Sequence, residues 1–269
     1  MERRDAYVRE AGAGVPLVCI HASASSSGQW RPLMDRLAGR FRTLAVDLHG
    51  SGKSPDWPAD RPLTLADEVA LLEPIFRNVG DRFHLIGHSY GGAVALKAAL
   101  AVPGRLRSLV LFEPVLFALL NADDSAQPAA REITAVRDDT IVAVDRGDLD
   151  TAGARFVGYW TGAGAWASMP DERRRPVASA MLKVKSQWRA AFEEPVPRSA
   201  FGALDVPTLC LVGSDSPASS RAVARLLAKT LPRVTEVEIE GVGHMGPVTH
   251  PDRINALIEG HLDQLTSGA

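Results

Sequence analysis

The feature that most constrains the fold is an alternation of short apolar runs with longer helical patterns. Most of the runs are continuous stretches of Val, Ile and Leu, and they predict strands at 16–20, 42–46, 83–87, 108–112, 207–212 and 235–240. The helical patterns are predicted at 29–39, 64–79, 90–101, 217–231 and 251–265. Buried apolar strands separated by helices are typical of a mostly parallel sheet with helices on both faces. The predicted fold class is therefore α/β.

This alternation stops between residues 114 and 199, where no strand-like run occurs and the pattern is helical, with breaks at Gly162 and Gly164. We interpret the segment as a helical insertion, so that residues 1–113 and 200–269 together form the core. Three of the five tryptophans lie in the insertion, at Trp160, Trp166 and Trp188. A chain of 269 residues is long enough for one large core and such an insertion.

Composition and charge narrow the classes of function. The 30 basic and 32 acidic residues leave a net charge of −2, which argues against nucleic acid or an anionic membrane as a partner. No apolar run is long enough for a membrane span, and the N-terminal residues do not resemble a signal peptide. We therefore expect a cytoplasmic protein with no membrane partner. Cys19 and Cys210 each lie in an apolar run and are expected to be buried thiols.

A glycine-rich segment joins the predicted strand at 83–87 to the predicted helix at 90–101. Residues 87–92 read Gly-His-Ser-Tyr-Gly-Gly. The pattern Gly-x-Ser-x-Gly arises by chance in roughly one chain in ten of this length, but a strand before it and a helix after it make it specific. A tight turn at this junction would raise the Ser89 hydroxyl out of the sheet, and Gly87 and Gly91 would avoid collisions with neighbouring backbone. Ser89 is therefore the candidate nucleophile.

The strand, turn and helix around Ser89 resemble the nucleophile elbow of the α/β-hydrolase family. The resemblance covers residues 1–113 and 200–269, and the insertion lies where that family usually carries its cap. It implies a triad in the order Ser, acid, His. His244, in the glycine-rich loop at 241–246, is then the base that takes the proton of Ser89.

The resemblance also implies an oxyanion hole formed by two backbone N–H groups. Tyr90, directly after the nucleophile, would supply one of them. Ser23 would supply the other, because His-Ala-Ser at 21–23 takes the place of the family's His-Gly-x after the first apolar run. Backbone donors suit this purpose because they do not have to reorganise as the charge develops.

Two carboxylates compete for the place of the triad acid. Many family members carry it in a Gly-x-x-Asp pattern, but here residues 213–216 read Gly-Ser-Asp-Ser, so that Ser216 takes that position and Asp215 comes one residue earlier. In haloalkane-dehalogenase-like members the acid ends the strand after the elbow helix, and Glu113 lies there. A glutamate directly after a buried strand is costly unless it is paired. Glu113 is our first assignment and Asp215 the alternative.

Residues 50–54, Gly-Ser-Gly-Lys-Ser, suggest a rival function, because they resemble the end of a phosphate-binding loop of an NTPase. Position 47 is Asp where that motif needs Gly, and Pro55 and Pro58 follow where its helix would have to run. The segment also resembles the turn that follows an early strand in α/β-hydrolases. The sequence therefore favours the hydrolase interpretation.

The predicted function is hydrolysis of a carboxylic ester or related acyl bond in a small to medium hydrophobic molecule. His21, Trp160 and Trp166 are candidates for the substrate pocket, since the aromatic insertion would form an apolar lid. Carbon–carbon bond hydrolysis, thioester hydrolysis and cofactor-free perhydrolysis could use the same triad, and a non-catalytic ligand-binding role is a further alternative. No cofactor or metal is expected, because the histidines and cysteines lack the spacing of metal ligands.

Overall fold

A computed structural model describes residues 5–58 and 60–266 and contains a single seven-stranded sheet. The strands are β1 (Val8–Ala11), β2 (Val15–Ile20), β3 (Phe41–Val46), β4 (Phe83–His88), β5 (Leu106–Phe112), β6 (Thr208–Gly213) and β7 (Val234–Ile239). Their order across the sheet is β1-β3-β2-β4-β5-β6-β7. β1 is antiparallel to β3, and every other pair is parallel.

The six predicted strands are all present, with ends within two residues of the predicted ones. β1 was not predicted. It is an edge strand of four residues, Val-Arg-Glu-Ala, none of them fully buried. A short strand of this kind lacks the continuous apolar run that marks the buried strands, so the sequence offers little signal for it.

Helices connect the strands as the α/β pattern predicts. They are α1 (Arg31–Leu37), α2 (Leu65–Asn78), α3 (Tyr90–Ala101), α4 (Gln127–Asp145), α5 (Leu149–Thr161), α6 (Ala165–Ser168), α7 (Asp171–Phe192), α8 (Arg198–Phe201), α9 (Ala218–Ala228), α10 (Gly246–Thr249) and α11 (Pro251–Thr266). Thr64 and Asp67 form a capping box at the start of α2, as their spacing predicts.

Both faces of the sheet are buried. Side chains of α1 and α11, such as Leu33 and Ile258, pack on one face, and those of α2, α3 and α9, such as Phe76 and Val94, pack on the other. Since β4 and β6 are buried along their whole length, their carboxyl ends have fixed positions. The loops that leave the sheet at this edge begin from a rigid base.

The segment between β5 and β6 is helical throughout its regular structure, from α4 to α8, which confirms the predicted helical insertion. α4, α5 and α7 pack against one another, and α7 also contacts α3 of the core. The insertion therefore lies over the end of the sheet from which Ser89 emerges. Its limits at 114 and 199 stay a prediction.

None of the helices in the described ranges is both long enough and apolar enough to cross a membrane. The expected location in the cytoplasm stays a prediction.

Candidate active site

Ser89 occupies a strained turn between β4 and α3. Its backbone has φ of 56° and ψ of −119°, a conformation that residues with a side chain rarely adopt. A Cβ atom on Gly87 would lie 2.3 Å from the carbonyl oxygen of Gly91, and one on Gly91 would lie 2.4 Å from the carbonyl oxygens of Ile20 and His21. Only glycine fits at either position. This is the reason predicted from the sequence for the two glycines, that a side chain would collide with neighbouring backbone.

Ser89, His244 and Glu113 form a continuous chain of hydrogen bonds, although up to 155 residues separate them in the sequence. The Ser89 hydroxyl donates to His244 Nε2 at 2.9 Å, and His244 Nδ1 donates to Glu113 Oε2 at 2.6 Å. His244 and Glu113 are almost completely buried. A ring held in this tautomer presents an unprotonated nitrogen to the hydroxyl, as a general base must.

The Glu113 carboxylate is held from several sides. Its Oε1 accepts hydrogen bonds from the backbone N–H of Gly213 at 2.7 Å and from the Ser216 hydroxyl. Glu113 also has a positive φ of 46°, in the left-handed region. Strain of this kind persists only where the surrounding structure imposes it, and it is concentrated at functional sites.

Asp215, the alternative acid, lies outside this chain of hydrogen bonds. Its side chain is exposed and accepts a hydrogen bond from the Ser214 hydroxyl at 2.9 Å. Its backbone N–H donates to the carbonyl of Val242, so the residue helps to connect the loop after β6 to the loop after β7. Of the two candidate acids, the structure brings Glu113 to His244.

The loop that carries His244 is fixed by a second histidine. His88, the residue before the nucleophile, donates from Nε2 to the His244 carbonyl oxygen at 2.9 Å. Burial lowers the pKa of His88 well below its usual value, and the adjacent His244 lowers it further, so the ring is neutral. The Ser220 hydroxyl lies 3.3 Å from His244 Nδ1. These contacts hold the imidazole in position without competing for its Nε2 atom.

Ser23 and Tyr90 both border a small cavity in front of the Ser89 hydroxyl. Tyr90 is the first residue of α3, so its N–H group is one of those that a helix leaves without an intrahelical partner. Ser23 is followed by Ala24, which has a positive φ of 51°. Both residues predicted to form the oxyanion hole thus border the same cavity as Ser89, and their role as donors stays a prediction.

Apolar side chains of the insertion close this cavity. Its apolar lining consists of Val115, Phe156, Trp160, Val184, Trp188 and Ala191. The Trp160 ring stacks on the His244 ring, with centroids 4.0 Å apart and an angle of 29° between the planes. The volume open to the centre of a water molecule is about 20 Å³, which is room for about one water. The described side chains therefore leave little free space directly in front of Ser89.

Two residues predicted to line the pocket have other surroundings. Trp166 packs against Gly153 and beneath the Arg174 guanidinium, and it does not border the cavity. His21 is fully buried, accepts from the Leu48 N–H and donates to its neighbouring carbonyl. Burial lowers the pKa of His21 to about 4, so it is neutral. Of the three residues predicted to line the pocket, only Trp160 borders this cavity.

The loop that resembles a phosphate-binding motif has no helix after it. Residues 50–54 form turns and bends, and 55–58 are irregular. Gly52 is needed for another reason, since a Cβ atom there would collide with the Asp47 carboxylate. Within residues 5–58 and 60–266, no group of three or more His, Cys, Asp or Glu side chains is placed to hold a metal ion.

Several residues around the triad were not predicted from the sequence. Ser216 takes the position where many family members carry the acid, and in the structure it binds Glu113. His88 adjoins the nucleophile and gives no separate signal of its contact with His244. Gln187 borders the cavity from α7. The one available signal for it was the spacing Val184, Gln187, Trp188, Ala191, which places one polar residue in an apolar stripe.

Comparison with known proteins identifies the family to which the chain belongs. The model of a family described as alpha/beta hydrolase fold matches residues 15–251. The chain belongs to this family. One relative is an (E)-2-((N-methylformamido)methylene)succinate hydrolase of Acinetobacter baylyi, 25% identical over 97% of this chain and 95% of its own length. Another is a pimeloyl-[acyl-carrier protein] methyl ester esterase of Yersinia pseudotuberculosis, 26% identical over 90% of this chain and 91% of its own.

Solved structures show the same fold. A hydrolase from Oleispira antarctica superposes with a TM-score of 0.79, at 18% identity, over 97% of this chain and 95% of that one. The family and the hydrolases among its relatives make the chain an enzyme of the alpha/beta hydrolase fold and, in the broad sense, a hydrolase.

Proposed function

We propose that this enzyme hydrolyses a carboxylic ester or a related acyl bond through an acyl-enzyme on Ser89. The observation that carries the proposal is the chain of hydrogen bonds from Ser89 Oγ through His244 to Glu113, at 2.9 and 2.6 Å. A serine hydroxyl is a weak nucleophile unless a base takes its proton, and here the base and the group that orients it are both in place.

The reaction follows from these contacts. Ser89 Oγ attacks the acyl carbon while its proton passes to His244 Nε2, and Glu113 stabilises the resulting imidazolium. The N–H groups of Ser23 and Tyr90 bind the oxyanion of the tetrahedral intermediate. The leaving alcohol takes the proton from His244. A water molecule then attacks the acyl-enzyme with His244 again acting as base, and the carboxylic acid is released.

The cavity supports the proposed class of substrate. Its apolar wall, which includes Phe156, Trp160 and Trp188, favours a small to medium hydrophobic molecule. We include the insertion in this proposal as a cap over the site. The methyl ester named for the Yersinia relative is an acyl bond of the proposed kind, which supports the assignment by analogy.

The test uses p-nitrophenyl esters with acyl chains of two to twelve carbons. We expect the wild-type enzyme to prefer short or medium chains. Ser89→Ala should lose nearly all activity, whereas Ser199→Ala, which changes an exposed serine on α8, should keep it. A fluorophosphonate should label the wild-type protein at Ser89, identified by mass spectrometry of the labelled peptide. Esterase activity that survives in Ser89→Ala, or a label on another residue, would contradict the proposal.

A further inference from the structure

Helix α7 directs one face into the active-site cavity. Val184, Gln187, Trp188 and Ala191 follow one another at helical spacing, and all four border the cavity. Three of them are apolar. Gln187 is the exception, and it is 2% exposed. An apolar residue of the same size would make this face of α7 apolar throughout. The presence of an amide at position 187 therefore needs a physical explanation.

The Gln187 amide has no hydrogen-bond partner for either of its polar atoms within the described part of the chain. A buried amide left unpaired is costly, and native proteins rarely retain one without a reason. The indole N–H groups of Trp160 and Trp188, two other bordering residues, are also buried without a described partner. Gln187, Trp160 and Trp188 thus each bring an unpaired buried polar group to the border of the cavity beside Ser89.

We propose that Gln187 is a specificity-determining residue, which pairs with a neutral group on the substrate that both donates and accepts hydrogen bonds. A primary carboxamide is the closest complement, because one edge of this planar group carries an N–H that can donate to Gln187 Oε1 and a C=O that accepts from Gln187 Nε2. The inference rests on the proposed function and deepens it: the substrate is an ester whose otherwise apolar body carries an amide group.

Charge makes a carboxylate a poorer fit. Among the described residues that border the cavity, none carries a positive charge, so an ionised group would enter without a counter-ion. A carboxylate would also leave Gln187 Oε1 without a donor, since that oxygen can only accept. A purely hydrocarbon substrate would leave both atoms unpaired. A site that is built to hydrogen-bond a polar group discriminates strongly against analogues that lack it.

The experiment compares pairs of esters of equal shape. The p-nitrophenyl esters of glutaramate, adipamate and pimelamate, which end in a primary amide, are paired with those of 5-methylhexanoate, 6-methylheptanoate and 7-methyloctanoate. Butyrates of ω-hydroxyalkanamides and of the matching branched alkanols place the primary amide on the alcohol side. For each pair, the ratio of kcat/KM for the amide to that for the hydrocarbon is measured in the wild type, in Gln187→Leu, and in Gln264→Leu, whose glutamine is exposed on α11.

We expect at least one pair in which Gln187→Leu lowers this ratio tenfold or more, while Gln264→Leu leaves it unchanged. Gln187→Leu should also unfold at the wild-type temperature or above, because it removes two unpaired polar atoms. If every ratio changes by less than threefold while the esters are still turned over, the inference is wrong. Absence of turnover in the wild type would contradict the proposed function instead, and the same pairs would then be compared by the quenching of tryptophan fluorescence on binding.

Discussion

Replacement of Glu113 by glutamine tests the site most directly, because it keeps the shape of the side chain and removes its charge. In the proposed reaction His244 becomes an imidazolium, and its Nδ1 lies 2.6 Å from Glu113 Oε2. Two unit charges about 4 Å apart attract each other by about 4 kcal/mol at an effective dielectric constant of about 20. Loss of that attraction corresponds to a fall of about 1,000-fold in kcat, at about 1.4 kcal/mol for each factor of ten.

The hydrogen bonds around Glu113 add a second effect. The Gly213 N–H, 2.7 Å from Glu113 Oε1, can only donate. A glutamine at position 113 would therefore direct its oxygen at Gly213 and its NH₂ group at His244. The imidazole would then have to accept at Nδ1 and carry its proton on Nε2, where it could not take the proton of Ser89. Asp-to-Asn replacement in the triad of other serine hydrolases, which also forces the wrong tautomer, lowers kcat by about 10,000-fold. We expect a loss between these two limits.

The assay is kcat and kcat/KM for p-nitrophenyl butyrate at pH 8, with circular dichroism to show that each variant is folded. Asp215→Asn is the matched control, because it makes the same chemical change on an exposed loop close by, and its kcat should stay within twofold of the wild type. A Glu113→Gln enzyme within tenfold of the wild type would refute the reasoning. A loss of 100-fold or more in Asp215→Asn would do so as well.

Three further predictions follow from local contacts. Gly91→Ala should lower Tm by about 6–12 °C, because the new Cβ atom would lie 2.4 Å from backbone oxygen atoms and overpacking of this kind costs about 3 kcal/mol. Gly158→Ala is the control, since open space surrounds that position, and it should not lower Tm in this way. Trp160→Phe should lower kcat about three- to tenfold, because the indole stacked on His244 stabilises the imidazolium by about 1 kcal/mol more than a phenyl ring does; an unchanged kcat would contradict this. Burial raises the pKa of Glu68 from 4.5 to about 7, so between these pH values the native state holds a proton that the unfolded state has lost. The free energy of unfolding should therefore fall between pH 5 and 7.5, by at most about 3 kcal/mol. The Glu68→Gln variant should show a smaller fall in Tm over that range than the wild type, and an equal fall would count against this role of Glu68.

The fold of the core could be predicted from the sequence, because each strand and helix is indicated by the residues within it and directly beside it. The run at 83–88 is apolar enough to be buried on both faces, and the glycines after it are typical of a tight turn from a strand into a helix. The edge strand at 8–11 shows the limit, since half-exposed residues with two charges give no such pattern. Within the core, the sequence therefore predicts well those elements whose structure is determined by a few neighbouring residues.

The pocket could not be predicted in the same way, because it is formed by residues from separate helices of the insertion. Trp160 and Trp166 are six residues apart and equally aromatic, yet one stacks on His244 and the other packs on Gly153. The pattern in α7 could have indicated that Gln187 shares a face with Val184 and Trp188, but not that this face borders Ser89. That information depends on how the insertion lies on the core, which involves contacts distant in sequence.

The comparison of Glu113 with Asp215 shows how the carboxylate of a site can come from a different strand. β5 and β6 are neighbours in the sheet, with Phe112 opposite Leu211, so the residues that follow them meet at the same edge. The loop after β6, where many family members carry the acid, here contributes Ser216, whose hydroxyl donates to the Glu113 carboxylate. A hydroxyl at 216 and a carboxylate at 113 thus fill the space that one aspartate would fill. Since an aspartate at 216 would place two negative charges side by side without a cation, the two arrangements exclude each other. The Ser216 hydroxyl, which donates to Glu113, therefore favours the proposed assignment of the acid to the end of β5.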